Sequence, residues 1–226
     1  MQSVLCVFAH PDDIAEGMGG MALLLKDKFD LHLVCATKGE RGIPGRDLAE
    51  TAAIREEEEK KECERLGATL HFLGRTDDEL YADAETCRQV AEIVRETNPV
   101  AVFTLWLVDN HPDHAAVSEL ARRAMMMAHS PAELVYFEAG EDQTMLFTPN
   151  VYLDISSVVD EKLELLRCHE SQNRDDLLVR MSLRKAARRG AEADCDYAEG
   201  YVSLPPLEYD SSSIFSTLPQ TRMPGE

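Results

Sequence analysis

Two short runs carry the residue types that hold a metal and move protons. His10-Pro11-Asp12-Asp13 puts one imidazole and two carboxylates in a single loop, and Asp109-Asn110-His111-Pro112-Asp113-His114 adds more of both about a hundred residues later. The spacing of His10 and Asp13 lets one loop hold an ion from two sides, with His114 as the third ligand. Two histidines and one carboxylate with an open fourth position is a catalytic zinc arrangement; a structural zinc closes that position, usually with cysteine. Neither run contains a cysteine. Asp12 and His111 remain beside these ligands. Next to a metal-activated water, a carboxylate can accept the proton, and an imidazole can stabilise an oxyanion or protonate a departing amine. Asp113 is placed to orient a histidine from behind. Pro112 suits the first turn of a helix capped by Asp109 or Asn110, so His114 projects from a helix N-terminus.

The elements that must position these residues alternate. Val4 to Phe8 reads as a strand that stops at the His10 loop and leads into a helix containing Met21 to Leu25. Leu31 to Thr37 is a second strand, followed by the loop from Lys38 and a charged helix from Asp47 to Leu66 that Gly67 closes. Thr69 to Leu73, then a helix over Glu85 to Arg95, then the apolar run Val100 to Val108 continue the alternation, with strands at 134–138 and 151–155 and helices at 158–169 and 177–191 beyond. Near-continuous apolar strands separated by helices predict a Rossmann-like α/β fold, a mainly parallel sheet with helices on both faces, in a single domain over residues 1–204. Residues 205–226, with four prolines and three consecutive serines, predict an extended or disordered tail. In such a sheet the ligand site lies beyond the carboxyl ends of the strands, where the His10, Lys38 and Asp109 loops all fall.

Composition narrows the partners. Lys and Arg total 23 against 42 Asp and Glu, a formal net charge of −19, so nucleic acid and anionic membranes would be bound against the field. Met1 to Ala9 is apolar but short and lacks a basic flank or cleavage pattern, so the expected location is cytoplasmic. The six cysteines are scattered and read as free thiols. Gly17, Gly19 and Gly20 lack the spacing of a dinucleotide loop, and the adjacent aspartates would repel a pyrophosphate. His32, His71 and His169 read as structural, and Glu56 to Glu59 with Lys60 and Lys61 as a solvated helix face.

The two runs together resemble the PIG-L/LmbE-like zinc-dependent N-acetylglucosaminyl deacetylases. Thr37-Lys38-Gly39-Glu40, Arg55 with Glu58, Leu66-Gly67, His169-Glu170-Ser171-Gln172 and Ala198-Glu199-Gly200-Tyr201 extend the resemblance to about residue 202. It implies a zinc ion on His10, Asp13 and His114, with other divalent metals accepted by the same ligands, Asp12 as general base, and His111 as oxyanion stabiliser. Arg55 resembles the family's substrate-binding arginine; Arg41 and Asp77 lie in segments that would share that task. A small N-acylated sugar conjugate is the implied substrate, and a homo-oligomer the implied assembly. Two departures stand out. Ala15 occupies a position where the family usually has glutamate, with Glu16 one residue later, and Asp77-Asp78 stands where Asp-Gly is common. The rival readings are an amidase for another small amide and a zinc- or sugar-binding module without turnover.

Overall fold

In the computed structural model, residues 1–140, 143–204, 213–222 and 224 are described. The alternation runs β1 (Gln2–Phe8), α1 (Asp13–Leu25), β2 (Phe29–Thr37), α2 (Leu48–Leu66), β3 (Thr69–Arg75), α3 (Ala84–Thr97), β4 (Ala101–Leu105), α4 (Pro112–Ala128) and β5 (Glu133–Phe137). It continues with β6 (Val151–Asp154), α5 (Val159–Leu166), α6 (Leu177–Glu192), β7 (Ala198–Leu204) and β8 (Thr221–Arg222). These strands form one sheet in the order β3-β2-β1-β4-β5-β7-β6-β8. The first five are parallel, as their apolar sequences predict. β7, β6 and β8 add an antiparallel extension. Strand order reverses between β1 and β4, so the loops leaving these two neighbours diverge and leave a crevice between them. Those loops carry His10 and His114.

α3 packs on α4, while α1 packs on α2, α5 and α6, giving the two helical layers. The glycines of α1 serve this packing. A Cβ on Gly17 would lie 2.4 Å from Phe137 Cδ2, and one on Gly20 would lie 2.5 Å from Ile155 Cγ2. α1 kinks at Met18, and the buried Glu199 carboxylate accepts the freed N–H groups of Gly20 and Met21, each at 2.8 Å. Lys162 neutralises Glu199 at 2.6 Å. The second half of α1 is thus capped from β7, a contact distant in sequence.

The apolar fourth run pairs only over Ala101–Leu105, shorter than its sequence predicts; beyond it Trp106 Nε1 donates to Met145 O at 3.1 Å. The predicted arm over residues 205–226 is corrected in its described part. Ile214, Phe215 and Leu218 are buried, Phe215 lies 5.5 Å from the Tyr201 ring, and Glu133 accepts the Ile214 N–H at 2.7 Å. Apolar side chains spaced for one short 3₁₀ turn (Ile214–Thr217) fold this segment back onto the sheet. Residues 205–212 of that arm lie outside the described residues. All six cysteines are free, as expected, and among the described residues no helix is long and apolar enough to cross a membrane.

Candidate active site

The loop after β1 is shaped around Asp13. Its Oδ2 accepts the N–H groups of Ala9 and His10 at 2.9 and 2.8 Å, leaving Oδ1 to face His114 Nε2 at 3.4 Å. His10 Nδ1 lies 3.3 Å from His114 Nε2 and 3.9 Å from Asp13 Oδ2. Donors held about 2.0–2.1 Å from a tetrahedral ion lie about 3.3 Å from one another, which is the separation of His114 Nε2 from His10 Nδ1 and, at 3.4 Å, from Asp13 Oδ1.

Both imidazoles are held from behind. His10 Nε2 faces Asp77 Oδ1 at 3.1 Å and Asp113 Oδ2 at 3.3 Å. Asp113 is itself fixed by the N–H groups of Asp78 and Leu80, at 2.8 and 3.1 Å, and Asp77 by the N–H of Arg41 at 2.9 Å. His114 Nδ1 faces Asp109 Oδ1 at 3.1 Å, and Thr144 Oγ1 donates to Asp109 Oδ2 at 2.8 Å. Burial opposes charge on His10, yet hydrogen bonds to Asp113 and Asp77 carry it up to about 9. For His114, burial is likewise outweighed, chiefly by Asp13 and Asp109, and the ring rises to about 10. The cluster attracts positive charge, whether protons or a metal ion that displaces them.

Asp12 and Asp13 point apart. Asp12 has φ 101°, in the left-handed region that favours glycine, and its Oδ2 accepts from Arg55 Nη2 at 3.0 Å. Arg55 also donates to Pro11 O at 2.5 Å and Gly39 O at 3.1 Å. Burial raises the Asp12 carboxyl to about 6, with Arg55 pulling it down and Asp13 adding to the rise. His111, not Asp109 or Asn110, caps α4: its Nδ1 accepts the Asp113 N–H at 3.3 Å. The expected cap is corrected because Asp109 is taken up by His114. With Nδ1 an acceptor, the neutral ring carries its proton on Nε2. Burial and the neighbouring His10 and His114 lower its pKa.

These groups surround an open cavity of about 270 Å³. Arg41, Arg55 and Asp77, the three expected to meet substrate, all line it. Each makes contacts to protein: Asp77 with His10, Arg55 as above though its buried Nε has no partner among the described residues, and Arg41 through Nε to Asp77 O at 2.8 Å and Nη2 to Glu79 at 2.7 Å. Ala15 is fully buried in the core, and Glu16, on the next position of α1, lines the cavity. Gln143, Gln172 and Leu178 add to the wall from the segment after β5, where the sequence offered little beyond His169-Glu170-Ser171-Gln172.

Residues 5–125 match the PIG-L family, described as GlcNAc-PI de-N-acetylase. The chain belongs to the PIG-L family. Its relatives include a diacetylchitobiose deacetylase of Thermococcus kodakarensis, 34% identical over 91% of this chain and 84% of the relative. They also include a 4-oxalmesaconate hydratase of Pseudomonas putida, 29% identical over 91% and 90%. Among solved structures, the N,N'-diacetylchitobiose deacetylase of Pyrococcus horikoshii superposes with a TM-score of 0.82 at 26% identity, covering 96% of this chain and 89% of that one. Deacetylases of the family are metal-dependent, and this chain has a His/Asp constellation of matching chemistry.

Proposed function

We propose that this protein is a metal-dependent N-deacetylase, hydrolysing the acetamido group of a small glucosamine-type sugar, with zinc held by His10, Asp13 and His114. The observation that carries the reading is the convergence of those three buried donors in the lining of a cavity whose remaining polar wall includes Asp12 and His111. When bound, such an ion supplies Lewis acidity, polarising the amide carbonyl and acidifying the attacking water.

The chain's own groups do the rest. Asp12 accepts the proton of the water as its oxygen bonds to the carbonyl carbon. Burial makes the Asp12 carboxyl a better base than an exposed aspartate, so it can take that proton and return it. His111 Nε2–H faces the cavity and donates to the oxyanion that develops on the carbonyl oxygen. As the C–N bond breaks, the nitrogen takes up the transferred proton, giving acetate and a free amine. Asp77, Asp113 and Asp109 keep the distal nitrogens of His10 and His114 occupied, so both rings present a fixed nitrogen to the ion. Arg55 acts through Asp12, holding its carboxylate and the preceding Pro11 carbonyl. The loop over residues 38–46, with Arg41, meets the part of the conjugate beyond the acetamido group.

The relationship to a hydratase supports a second reading, addition of water to a carbon–carbon double bond at the same site. Free-amine assays on a panel of N-acetylated sugars separate the two. The deacetylase reading predicts amine release that stops with a chelator and returns with zinc. No amine from any member, with metal bound, would refute it.

A further inference from the structure

The chain has a net charge of −19, and the cavity wall repeats the bias locally. Its acids are Asp12, Asp13, Glu16, Asp77 and Asp78, and its only cationic side chains of the Lys or Arg type among the lining residues are Arg41 and Arg55. Both are already matched: Arg55 faces Asp12 at 3.0 Å, and Arg41 faces Glu79 at 2.7 Å. Asp109 and Asp113 stand directly behind the two histidines. Even a divalent ion leaves this set negative.

Asp78 differs from the other acids in where it points. Asp77 turns inward to His10, and the next residue has φ 63°, a left-handed conformation ordinarily given to glycine. The Asp78 N–H is tied to Asp113 Oδ2 at 2.8 Å, which fixes that turn. Its side chain is therefore carried outward to the cavity mouth, 54% exposed, with Oδ1 3.6 Å from His111 Nε2. A carboxylate projects beside the reacting group where a glycine would leave open space.

We infer that Asp78 is a specificity-determining residue that favours conjugates bearing an ammonium group beyond the reacting sugar and disfavours those bearing a carboxylate or phosphate. The inference rests on the deacetylase reading of the cavity. At a separation of several ångströms near the surface, one unit charge changes recognition by roughly three- to tenfold.

Three disaccharides test it, each with N-acetylglucosamine as the reacting sugar and glucosamine, glucose or glucuronic acid as the second. Wild-type kcat/KM should rank them in that order, and the spread should shrink as salt is raised. Asp78→Asn should compress the ammonium-to-carboxylate ratio, which spans two unit charges, by roughly ten- to a hundredfold. An effect of the substitution on the chemistry is common to all three substrates, so the ratio reads recognition alone. Asp78→Gly, which relieves the positive φ, serves if the asparagine variant folds poorly. A wild-type preference for the glucuronide, or a ratio unmoved in both variants, would overturn the inference. Should none of the three be deacetylated, the functional reading fails by itself; calorimetric affinities of the same disaccharides for wild type and Asp78→Asn then read the same ratio and decide the inference separately.

Discussion

His10, Asp13 and His114 at the cavity, and Glu59, Glu62 and His169 in the interior, are built from the same side-chain chemistry and behave differently because of spacing. In the first trio His114 Nε2 stands 3.3 Å from His10 Nδ1 and 3.4 Å from Asp13 Oδ1, and the far nitrogen of each ring is occupied by a carboxylate. That is co-ligand spacing. In the second, His169 Nε2 and Glu62 Oε2 are 2.7 Å apart, a hydrogen bond closed on itself, and all three residues are fully buried. Glu59 Oε2, Glu62 Oε1 and His169 Nδ1 have no protein partner among the described residues. Burial, then the Glu62 charge, pushes Glu59 well above the usual glutamate range; burial, then Asp12 and Asp13, does the same for Glu62. On the proposed reading the open cluster takes the metal ion and the closed one holds protons.

The largest effect that sharpens this contrast is on metal content. His114→Ala should take bound zinc from about one ion per chain to near zero, whereas His169→Gln should keep it. Elemental analysis of both variants, purified without chelator, decides which cluster holds the ion. Next in size, Asp12→Asn should cut turnover by roughly 10²–10⁴-fold with metal retained. Loss of the metal in that variant would make Asp12 a ligand instead of the base.

Arg55→Ala should lower kcat by roughly 10–100-fold, as expected when a catalytic group shifts by about an ångström, while KM moves less than about threefold. A rise confined to KM would return Arg55 to the substrate-contacting role its resemblance implies. The smallest effect belongs to the buried cluster. A glutamate whose folded pKa is raised stays protonated in the fold while the unfolded chain ionises, so native stability falls as pH rises above the ordinary glutamate value. Glu59→Gln removes that loss. It should stabilise the protein at pH 8 relative to wild type, by at most about 1.4 kcal/mol for each pH unit above that value, and the gain should vanish near pH 4. A pH-independent difference in thermal unfolding would mean that Glu59 is ionised in the fold.

Much of this was legible in the sequence because it is local. The β1–α1 and β4–α4 junctions each carry their motif within six residues, and strand order alone brings the two loops together. What was not legible depends on distant contacts. Glu58 and Glu59 read as part of a solvated face, yet Ser171 donates its N–H and hydroxyl to Glu58, both at 2.7 Å, as the turn after α5 crosses α2. Only Glu56, Glu57, Lys60 and Lys61 keep the expected exposure to solvent, in whole or in part. Asp109 read as a helix cap because it precedes Pro112; that it holds His114 follows from the turn at residues 109–111, whose His111 N–H it also accepts at 2.8 Å. Asp77 lies in no motif pointing to His10, and only the pairing of β3 beside β2 brings it there.

Hydrolysis itself is tested most directly with isotopically labelled water. Zinc-loaded protein incubated with N,N'-diacetylchitobiose in ¹⁸O-water should release acetate carrying one ¹⁸O atom per turnover, matched by one new amine, and Asp12→Asn should release almost none. Absence of labelled acetate from this and other N-acetylated sugars, or the appearance of the label in a hydrated double bond of an unsaturated acid instead, would contradict the account.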